Sequence, residues 1–141
     1  MAAFMVSEGV NLMGGALGGK KAAWLDEQDP YIYARDPHIF YNDLSADEQR
    51  HWFSLIQSQA YGTFYAAAPA ASWKEIPTSY LLCEDDAAIP SAAQEGMTVA
   101  AREAGGEVEV TRLKSGHSPF LSKVEETAEW VEGVVRKAGL S

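Results

Sequence analysis

The sequence offers little sulfur chemistry and little positive charge. Cys83 is the single cysteine among 141 residues, which excludes an internal disulfide and a cysteine-based metal site. The three histidines do not follow the spacing of a metal-binding pair, so we expect no bound metal. Lysine and arginine number 11 against 20 acidic residues, which gives a net charge of −9. That balance disfavours binding to nucleic acid or to an anionic membrane, and we expect neither as a partner.

Long hydrophobic runs are also missing. The first apolar stretch, residues 1–6, is too short to span a membrane or to form the core of a signal peptide, and no basic residue precedes it. We therefore expect an intracellular, cytoplasmic protein. With 47% hydrophobic and 22% charged residues, the composition is that of a globular protein, and the length suits one domain.

A glycine-rich stretch, Gly14–Lys20, has the spacing of a phosphate-binding loop, G-x-x-x-x-G-K. In such loops a serine or threonine follows and binds magnesium, whereas here Lys21 follows. The stretch does not lie directly between a predicted strand and a predicted helix either. We interpret it as a flexible loop and expect no cofactor.

Residues 22–44 are rich in aromatic side chains without a clear period. The aromatic residues are Trp24, Tyr31, Tyr33, Phe40 and Tyr41, and two prolines, Pro30 and Pro37, interrupt them. The segment is too apolar for disorder and too irregular for one long helix, so we expect short helices and turns. Its aromatic side chains either cover a pocket or pack a small core.

The later part of the chain alternates strand and helix signals. The continuous apolar run Thr78–Cys83 is typical of a strand covered on both faces, and residues 107–113 alternate as in a strand with one buried face. Gly116 is expected to supply unusual backbone angles in the following loop, and Pro119 to delay the next helix. A strand, helix, strand, helix order predicts a parallel βαβ unit.

Three capping boxes predict where helices begin. Their serines are Ser45, Ser91 and Ser122, each followed three residues later by Glu or Gln. The first helix is expected to run to about Tyr61. The apolar faces are predicted to comprise Trp52, Leu55, Ile56, Ala60 and Phe64 in the first helix, Ala93, Met97, Ala100, Ala101 and Ala104 in the second, and Val124, Ala128, Val131, Val135 and Ala138 in the last.

One acidic residue and one histidine follow the two predicted strands. Asp86 comes shortly after the first strand and His117 shortly after the second, so both side chains belong at the carboxyl edge of the sheet. A carboxylate beside an imidazole orients the ring and stabilises its protonated form, which allows acid/base catalysis. Alternatively, the acidic residues are solvated and His117 only closes a loop. His38 and His51 are weaker candidates, more typical of structural or surface positions.

The segments Tyr80–Pro90 and Ser115–Ser122, with Gln94 between them, resemble the C-terminal part of α/β-hydrolase superfamily proteins. The group most similar contains plant methyl esterases and hydroxynitrile lyases. The resemblance implies that Asp86, rather than Asp85 or Glu84, is the triad acid and that His117 is the base. It further implies an α/β fold: a truncated hydrolase fold with a small parallel βαβ sheet in residues 76–141 and a helical cap at about 10–75.

The family's nucleophile elbow, G-x-S-x-G, does not occur in the sequence. The nearest string is Gly116–Phe120, where Ser118 is interpreted as a turn or capping hydroxyl, and Cys83 is interpreted as core. The resemblance then implies a His–Asp pair acting on a small apolar carbonyl compound in lyase, cyclase or isomerase chemistry, with the five aromatic residues of segment 22–44 lining the substrate site.

Two alternatives stay open. The protein is an ester hydrolase whose serine comes from a missing segment or a partner chain, or it is a non-catalytic protein that binds a hydrophobic ligand or acts as a scaffold. Because two parallel strands alone cannot bury their surfaces, we also expect self-association, as a homodimer that completes the sheet.

Overall fold

The computed structural model describes residues 5–12 and 22–139. Its strands are β1 (Leu25–Gln28), β2 (Tyr31–Ala34), β3 (Gln59–Ala60), β4 (Thr78–Cys83) and β5 (Val108–Leu113). Its helices are α1 (Pro37–Tyr41), α2 (Ala46–Ser54), α3 (Gly62–Tyr65), α4 (Ser91–Glu103), α5 (Pro119–Ser122) and α6 (Val124–Lys137), with a 3₁₀ turn at Ser72–Lys74. The predicted loop Gly14–Lys20 lies outside the described residues. Within the described ranges no helix combines the length and apolar character needed to cross a membrane.

A parallel pair of strands, β4 and β5, forms the centre of the predicted βαβ unit. They pair from Thr78↔Val108 to Cys83↔Leu113, and α4 connects them. The prediction for β4 is confirmed to the residue, and β5 begins one residue later than expected. Because the strands are parallel and in register, the segments that leave Cys83 and Leu113 emerge at one edge of the sheet.

The second predicted helix face is correct for Ala101, which is buried, and for Met97, which packs on a buried cluster, but it is rotated from the inner face of the helix. The other buried residues of α4 are Gln94 and Thr98, whereas Ala93 and Ala100 are exposed. The predicted face lines an open groove of about 430 Å³ together with the chain at residues 5–10. The apolar pattern therefore pointed about one position away from the side that packs on the strands.

The predicted apolar stripe of the last helix is not buried in the described part of the chain. Its residues Val124, Val131 and Val135 are 58%, 46% and 37% exposed, and its two alanines are exposed as well. The half-buried side of α6 instead carries Thr127, Trp130, Gly133 and Val134. These three valines and two alanines, called the stripe below, thus form an apolar surface that no described residue covers.

The aromatic segment contains an antiparallel hairpin that the sequence pattern did not predict. β1 and β2 pair from Leu25↔Ala34 to Gln28↔Tyr31, and β3 adds to β2. Leu25 and Ile32 are buried in a cluster with Phe64, and this burial stabilises the hairpin. The expectation of helices and turns alone is therefore wrong for residues 25–34, while α1 agrees with it.

Only one of the three predicted capping boxes forms. Ser45 and Glu48 make both reciprocal hydrogen bonds at the start of α2, which ends at Ser54 rather than near Tyr61. The helix stops earlier because the chain turns after Leu55 to supply strand β3. The cap residues of α4 and α6 are Pro90 and Lys123, and neither makes a side-chain cap bond, so the boxes predicted at Ser91 and Ser122 are wrong.

Candidate active site

The loop after β4 buries a carboxylate whose hydrogen-bonding capacity is filled. The Asp86 side chain is 0% exposed. Its Oδ1 accepts hydrogen bonds from the backbone N–H groups of Ala88 and Ile89, at 2.8 and 2.9 Å. Its Oδ2 lies 2.9 Å from His117 Nδ1 and 3.4 Å from Gln94 Nε2. Full hydrogen bonding of this kind is what makes a buried carboxylate tolerable.

Gln94, on α4, binds both the end of strand β4 and the loop that carries Asp86. Its Oε1 accepts from the Cys83 N–H at 3.1 Å, and its Nε2 donates to the carbonyls of Cys83 and Ile89 at 3.0 and 2.6 Å. The side chain is fully buried. Gln94 was predicted to cap its helix, but it instead holds the loop that carries Asp86.

The loop after β5 brings the histidine to the acid. Backbone bonds continue the strand pairing past its end, from Glu84 N to the Leu113 carbonyl and from Asp85 N to the Ser115 carbonyl, at 2.9 and 3.0 Å. His117 then reaches Asp86 while keeping 23% of its side chain exposed. Asp86 alone of the three acidic residues at positions 84–86 is placed against the imidazole, since Glu84 faces Arg112 at 3.6 Å.

The hydrogen-bond partners assign the imidazole tautomer. Two backbone N–H groups and the Gln94 amide all donate to Asp86, so this carboxylate acts as an acceptor throughout. His117 Nδ1 must then carry the hydrogen that it shares with Asp86, an assignment made from the network. In the neutral ring Nε2 is left with its lone pair free to accept a proton, which is the arrangement that general base catalysis needs.

One of the five predicted aromatic residues lies against this pair, and a second lies against the first. The Phe40 ring is 5.4 Å from the His117 ring and 5.1 Å from the Trp24 ring, between centroids. Trp24 and Phe40 also pack on a buried cluster that contains Cys83 and Ile89. The aromatic segment therefore covers the acid loop and forms an apolar wall beside the imidazole.

The other three aromatic residues lie elsewhere. Tyr41 is buried behind Phe40, 6.3 Å from it between ring centroids, and burial raises the pKa of its hydroxyl. Tyr31 and Tyr33 lie on the exposed side of β2, at 46% and 39% exposure, while Ile32 between them faces inward. The structure thus brings Phe40 to His117, with Trp24 against Phe40, and leaves Tyr31 and Tyr33 on the outer face of the hairpin.

The remaining candidates have ordinary surroundings. His38 and His51 are exposed on α1 and α2. Cys83 is fully buried in the strand. Ser118 is the first residue of the turn into α5, but its hydroxyl makes no capping bond, contrary to expectation. Among the described residues, no group of three or more His, Cys, Asp and Glu is arranged to hold a metal ion.

Sequence reasoning missed three residues that support the pair: Gln94, Asn42 and Asp43. Gln94, Thr98 and Ala101 recur at helical spacing, so a search for buried polar positions could have found the inner face of α4. Asn42 and Asp43 reach the two loops from 43 to 79 residues away in the chain, and no local pattern signals such contacts.

The molecule is an α/β protein. An acid and a histidine lie at the carboxyl edge of its parallel strands under an aromatic segment, and this edge is where α/β sheets usually place their functional sites. A model of the alpha/beta hydrolase family matches residues 3–130, and the chain belongs to that family. The expected fold class is thereby confirmed.

Curated relatives carry hydrolase names. The chain is similar to Alpha/beta hydrolase nvfD of Aspergillus novofumigatus, with 31% identity over 100 residues that cover 71% of this chain and 39% of that protein. It is also similar to Probable hydrolase R7 of a Phoma species, with 32% identity over 120 residues that cover 81% of this chain and 49% of the relative. The chain thus spans half or less of the length of these relatives.

Solved structures show the same fold. A pyrethroid hydrolase from Sphingobium faniae superposes with a TM-score of 0.73 at 23% identity, covering 92% of this chain and 56% of that one. Polyneuridine aldehyde esterase superposes with a TM-score of 0.68 at 12% identity, covering 92% and 58%. At these identities the likeness establishes the fold alone.

Proposed function

We propose that His117 and Asp86 are the acid/base pair of an enzyme that acts on small, apolar carbonyl or ester compounds. The observation that carries the proposal is the 2.9 Å contact between His117 Nδ1 and a fully buried, fully hydrogen-bonded Asp86. An acid and a histidine on the surface do not need buried hydrogen-bond donors around the carboxylate, because water stabilises exposed charges.

The apolar wall supports the choice of substrate. Phe40 lies against the imidazole, and Trp24 lies against Phe40. An apolar group packed on these rings would place its carbonyl near His117 Nε2, the nitrogen that Asp86 leaves free. Aromatic side chains add orientation to such binding through edge-to-face contacts.

On its own the pair can transfer protons. His117 Nε2 would take a proton from a hydroxyl or from a carbon next to a carbonyl, with Asp86 stabilising the imidazolium that forms. Returning that proton to another atom of the same molecule completes an elimination, an aldol-type ring closure or an isomerisation. These lyase, cyclase and isomerase reactions need no serine, and the sequence contains no G-x-S-x-G string.

Ester hydrolysis is the second candidate, and the names of the relatives favour it. It would require a nucleophilic serine from a segment outside these 141 residues or from a partner chain. His117 would then deprotonate that serine and later protonate the leaving group. The same two residues would act in both reactions, so the source of the nucleophile separates the two candidates.

The test uses the full 141-residue chain with aryl esters and small β-hydroxy ketones as substrates. We expect His117→Ala to lower turnover by about 100-fold or more, the usual contribution of a general base, and His51→Ala to leave turnover unchanged. His51 is a matched control because it is an exposed histidine on the cap helix α2. Turnover that survives His117→Ala would remove the pair from the mechanism.

A serine-directed fluorophosphonate distinguishes the two candidates. Turnover without labelling, and unaffected by Ser118→Ala, supports proton transfer. Covalent labelling of the purified chain would overturn that reaction in favour of a serine hydrolase. Saturable binding of apolar ligands without turnover of any compound would overturn proton transfer by the pair in this chain.

We further propose that two copies associate through α6. The exposed stripe is symmetric about Val131, so an antiparallel pair of helices would place Val124 against the partner's end of the stripe and the two Val131 side chains together.

A further inference from the structure

The turn between α1 and α2 contacts both loops of the His117–Asp86 pair. Asp43 lies in this turn, and its Oδ2 accepts a hydrogen bond from the Gly116 N–H at 2.7 Å and another from the Ser122 hydroxyl at 2.6 Å. Gly116 immediately precedes His117, and Ser122 ends helix α5, which follows the histidine loop. A carboxylate that accepts two short hydrogen bonds makes a strong, directional contact.

The neighbouring residue holds the other loop. Asn42 Nδ2 donates to the Asp85 carbonyl at 2.8 Å, immediately before the acid Asp86. Two consecutive residues of the cap turn therefore fasten the loop that carries the acid and the loop that carries the histidine. Both contacts are long-range, since 43 and 73 residues separate the partners.

Glycine at position 116 is required by this contact. A Cβ there would lie 2.3 Å from Asn42 Oδ1 and 2.7 Å from Asp43 Oδ1, closer than real Cβ contacts allow. Gly116 does not occupy the left-handed region, which among the described residues is populated by Gly9, Gly105 and Gly139. The expectation of unusual backbone angles at Gly116 is thus wrong: the glycine serves close approach rather than conformation.

We propose that Asn42 and Asp43 are positioning residues that hold His117 in register with Asp86 and with the aromatic wall. Phe40 precedes the same turn and lies against the imidazole, so the turn fixes the wall and the histidine loop with one set of contacts. We call these contacts of Asn42 and Asp43 the clamp. The clamp is expected to affect turnover because displacement of a catalytic group by about 1 Å can lower turnover about 100-fold.

The inference rests on the proposed function for its effect on turnover, but the clamp itself is measured without turnover. Amide hydrogen exchange followed by NMR reports the Gly116 N–H directly. We expect Asp43→Ala to raise the exchange rate of this amide about tenfold or more, as loss of a hydrogen bond to a charged group predicts. Asp43→Asn keeps an acceptor oxygen and is expected to fall between Asp43→Ala and the wild type.

The control is Asp47→Ala, which removes an exposed carboxylate from the same cap, where it pairs with Arg50. It should leave Gly116 exchange unchanged. The hydrogen on His117 Nδ1 provides a spectroscopic signature of the pair, and its NMR signal should broaden in Asp43→Ala and persist in Asp47→Ala. Unchanged Gly116 exchange and an unchanged Nδ1 signal in Asp43→Ala would overturn the clamp.

A second set of variants tests the close approach and remains informative if Asp43→Ala folds poorly. Gly116→Ala should lower the midpoint of chemical denaturation, whereas Gly133→Ala, with nothing within 4 Å of the added Cβ, should not. Adding Asn42→Ala and Asp43→Ala to Gly116→Ala should remove most of its additional effect, because the atoms that meet the new Cβ are gone. An undiminished effect of Gly116→Ala in that background would contradict the contact.

Turnover then separates the two proposals. If His117→Ala leaves turnover intact while Asp43→Ala opens the Gly116 amide, the proposed function fails and the clamp stands as a structural contact. If His117→Ala abolishes turnover while Asp43→Ala changes neither kcat nor the Gly116 amide, the clamp fails and the function stands. Loss of kcat in Asp43→Ala, with Asp47→Ala unaffected, supports both.

Discussion

Helices α4 and α6 each follow a strand of the parallel pair, yet they differ in what they bury. α4 turns the polar Gln94 and Thr98 inward beside Ala101, at 0%, 2% and 2% exposure, and leaves its other alanines outside. α6 has no fully buried residue and leaves three of its four valines exposed, with Val131 at 46%. The hydrophobic pattern alone predicts an inner face without Gln94 and Thr98 for α4, and a buried stripe for α6.

The side of each helix that faces inward is determined by the part of the chain against which the helix packs. In α4 the inner face meets a loop whose backbone groups need partners, and Gln94 supplies them. In α6 the described part of the chain provides no cover for the stripe. An inward polar residue and an outward apolar one both depart from the simple rule. Gln94 holds the loop that carries Asp86, and the α6 stripe is the surface for which we propose a second copy as partner.

The largest expected effect comes from removing the buried polar side chain of α4. Gln94→Ala removes the partners of the Cys83 N–H and the Ile89 carbonyl and leaves a cavity next to Asp86, so the free energy of unfolding should fall by about 3 kcal/mol. Urea denaturation measures it. Gln57→Ala, an exposed glutamine, should change the free energy by less than about 0.5 kcal/mol. A loss below about 1 kcal/mol for Gln94→Ala would mean that the network contributes little.

The next effect tests whether the α6 stripe has a partner. Val131→Glu should raise the dissociation constant of the homodimer by at least about tenfold, because it places charges against each other at the symmetry axis. Val99→Glu is the matched control, since Val99 is an α4 valine with 47% exposure against 46% for Val131. Sedimentation velocity over a concentration series measures both.

Two outcomes would overturn the α6 interface. A wild-type chain that stays monomeric at the highest concentrations would contradict the proposed interface. Equal weakening by Val99→Glu would transfer the interface to α4.

The sequence was sufficient for the parts of the fold that have strong local signals. The apolar run Thr78–Cys83 and the alternating segment before Leu113 each determine a strand, and parallel pairing then places their following loops at one edge. For that reason the proximity of Asp86 and His117 could be predicted. The catalytic role of the pair stays a prediction until turnover is measured.

Other features depend on contacts that no local pattern contains. β1, with the sequence Leu-Asp-Glu-Gln, has weak strand propensity and forms because it pairs with β2 and buries Leu25. The rotation of α4 follows from the loop it packs against, and the Asn42–Asp43 turn meets Gly116 only in the folded chain. Long-range packing overrides propensity in each case.

The smallest effect separates a capping box that forms from one that does not. Ser45 and Glu48 make both reciprocal hydrogen bonds at the start of α2, whereas Pro90, the cap residue before α4, makes no side-chain hydrogen bond. Ser45→Ala should therefore lower the free energy of unfolding by about 1 kcal/mol, and Ser91→Ala by less than about 0.5 kcal/mol. Equal losses would mean that Ser91 caps α4 in solution.

The loss of unfolding free energy in Ser45→Ala is also expected to depend on pH. The hydrogen bond from the Ser45 hydroxyl, with a further bond from its backbone N–H, holds the pKa of Glu48 below its usual value. A carboxyl whose pKa is lower in the folded chain stabilises that chain above the unfolded value, and the contribution is lost as pH falls through the folded pKa. The difference between wild type and Ser45→Ala should thus be full at pH 7 and shrink as the pH falls through the folded pKa of Glu48, which lies below the ordinary glutamate value of about 4.3. Urea denaturation at pH 7 and pH 3 measures that change, and a difference that grows in acid would show that the Ser45 hydroxyl does not act through the Glu48 carboxylate.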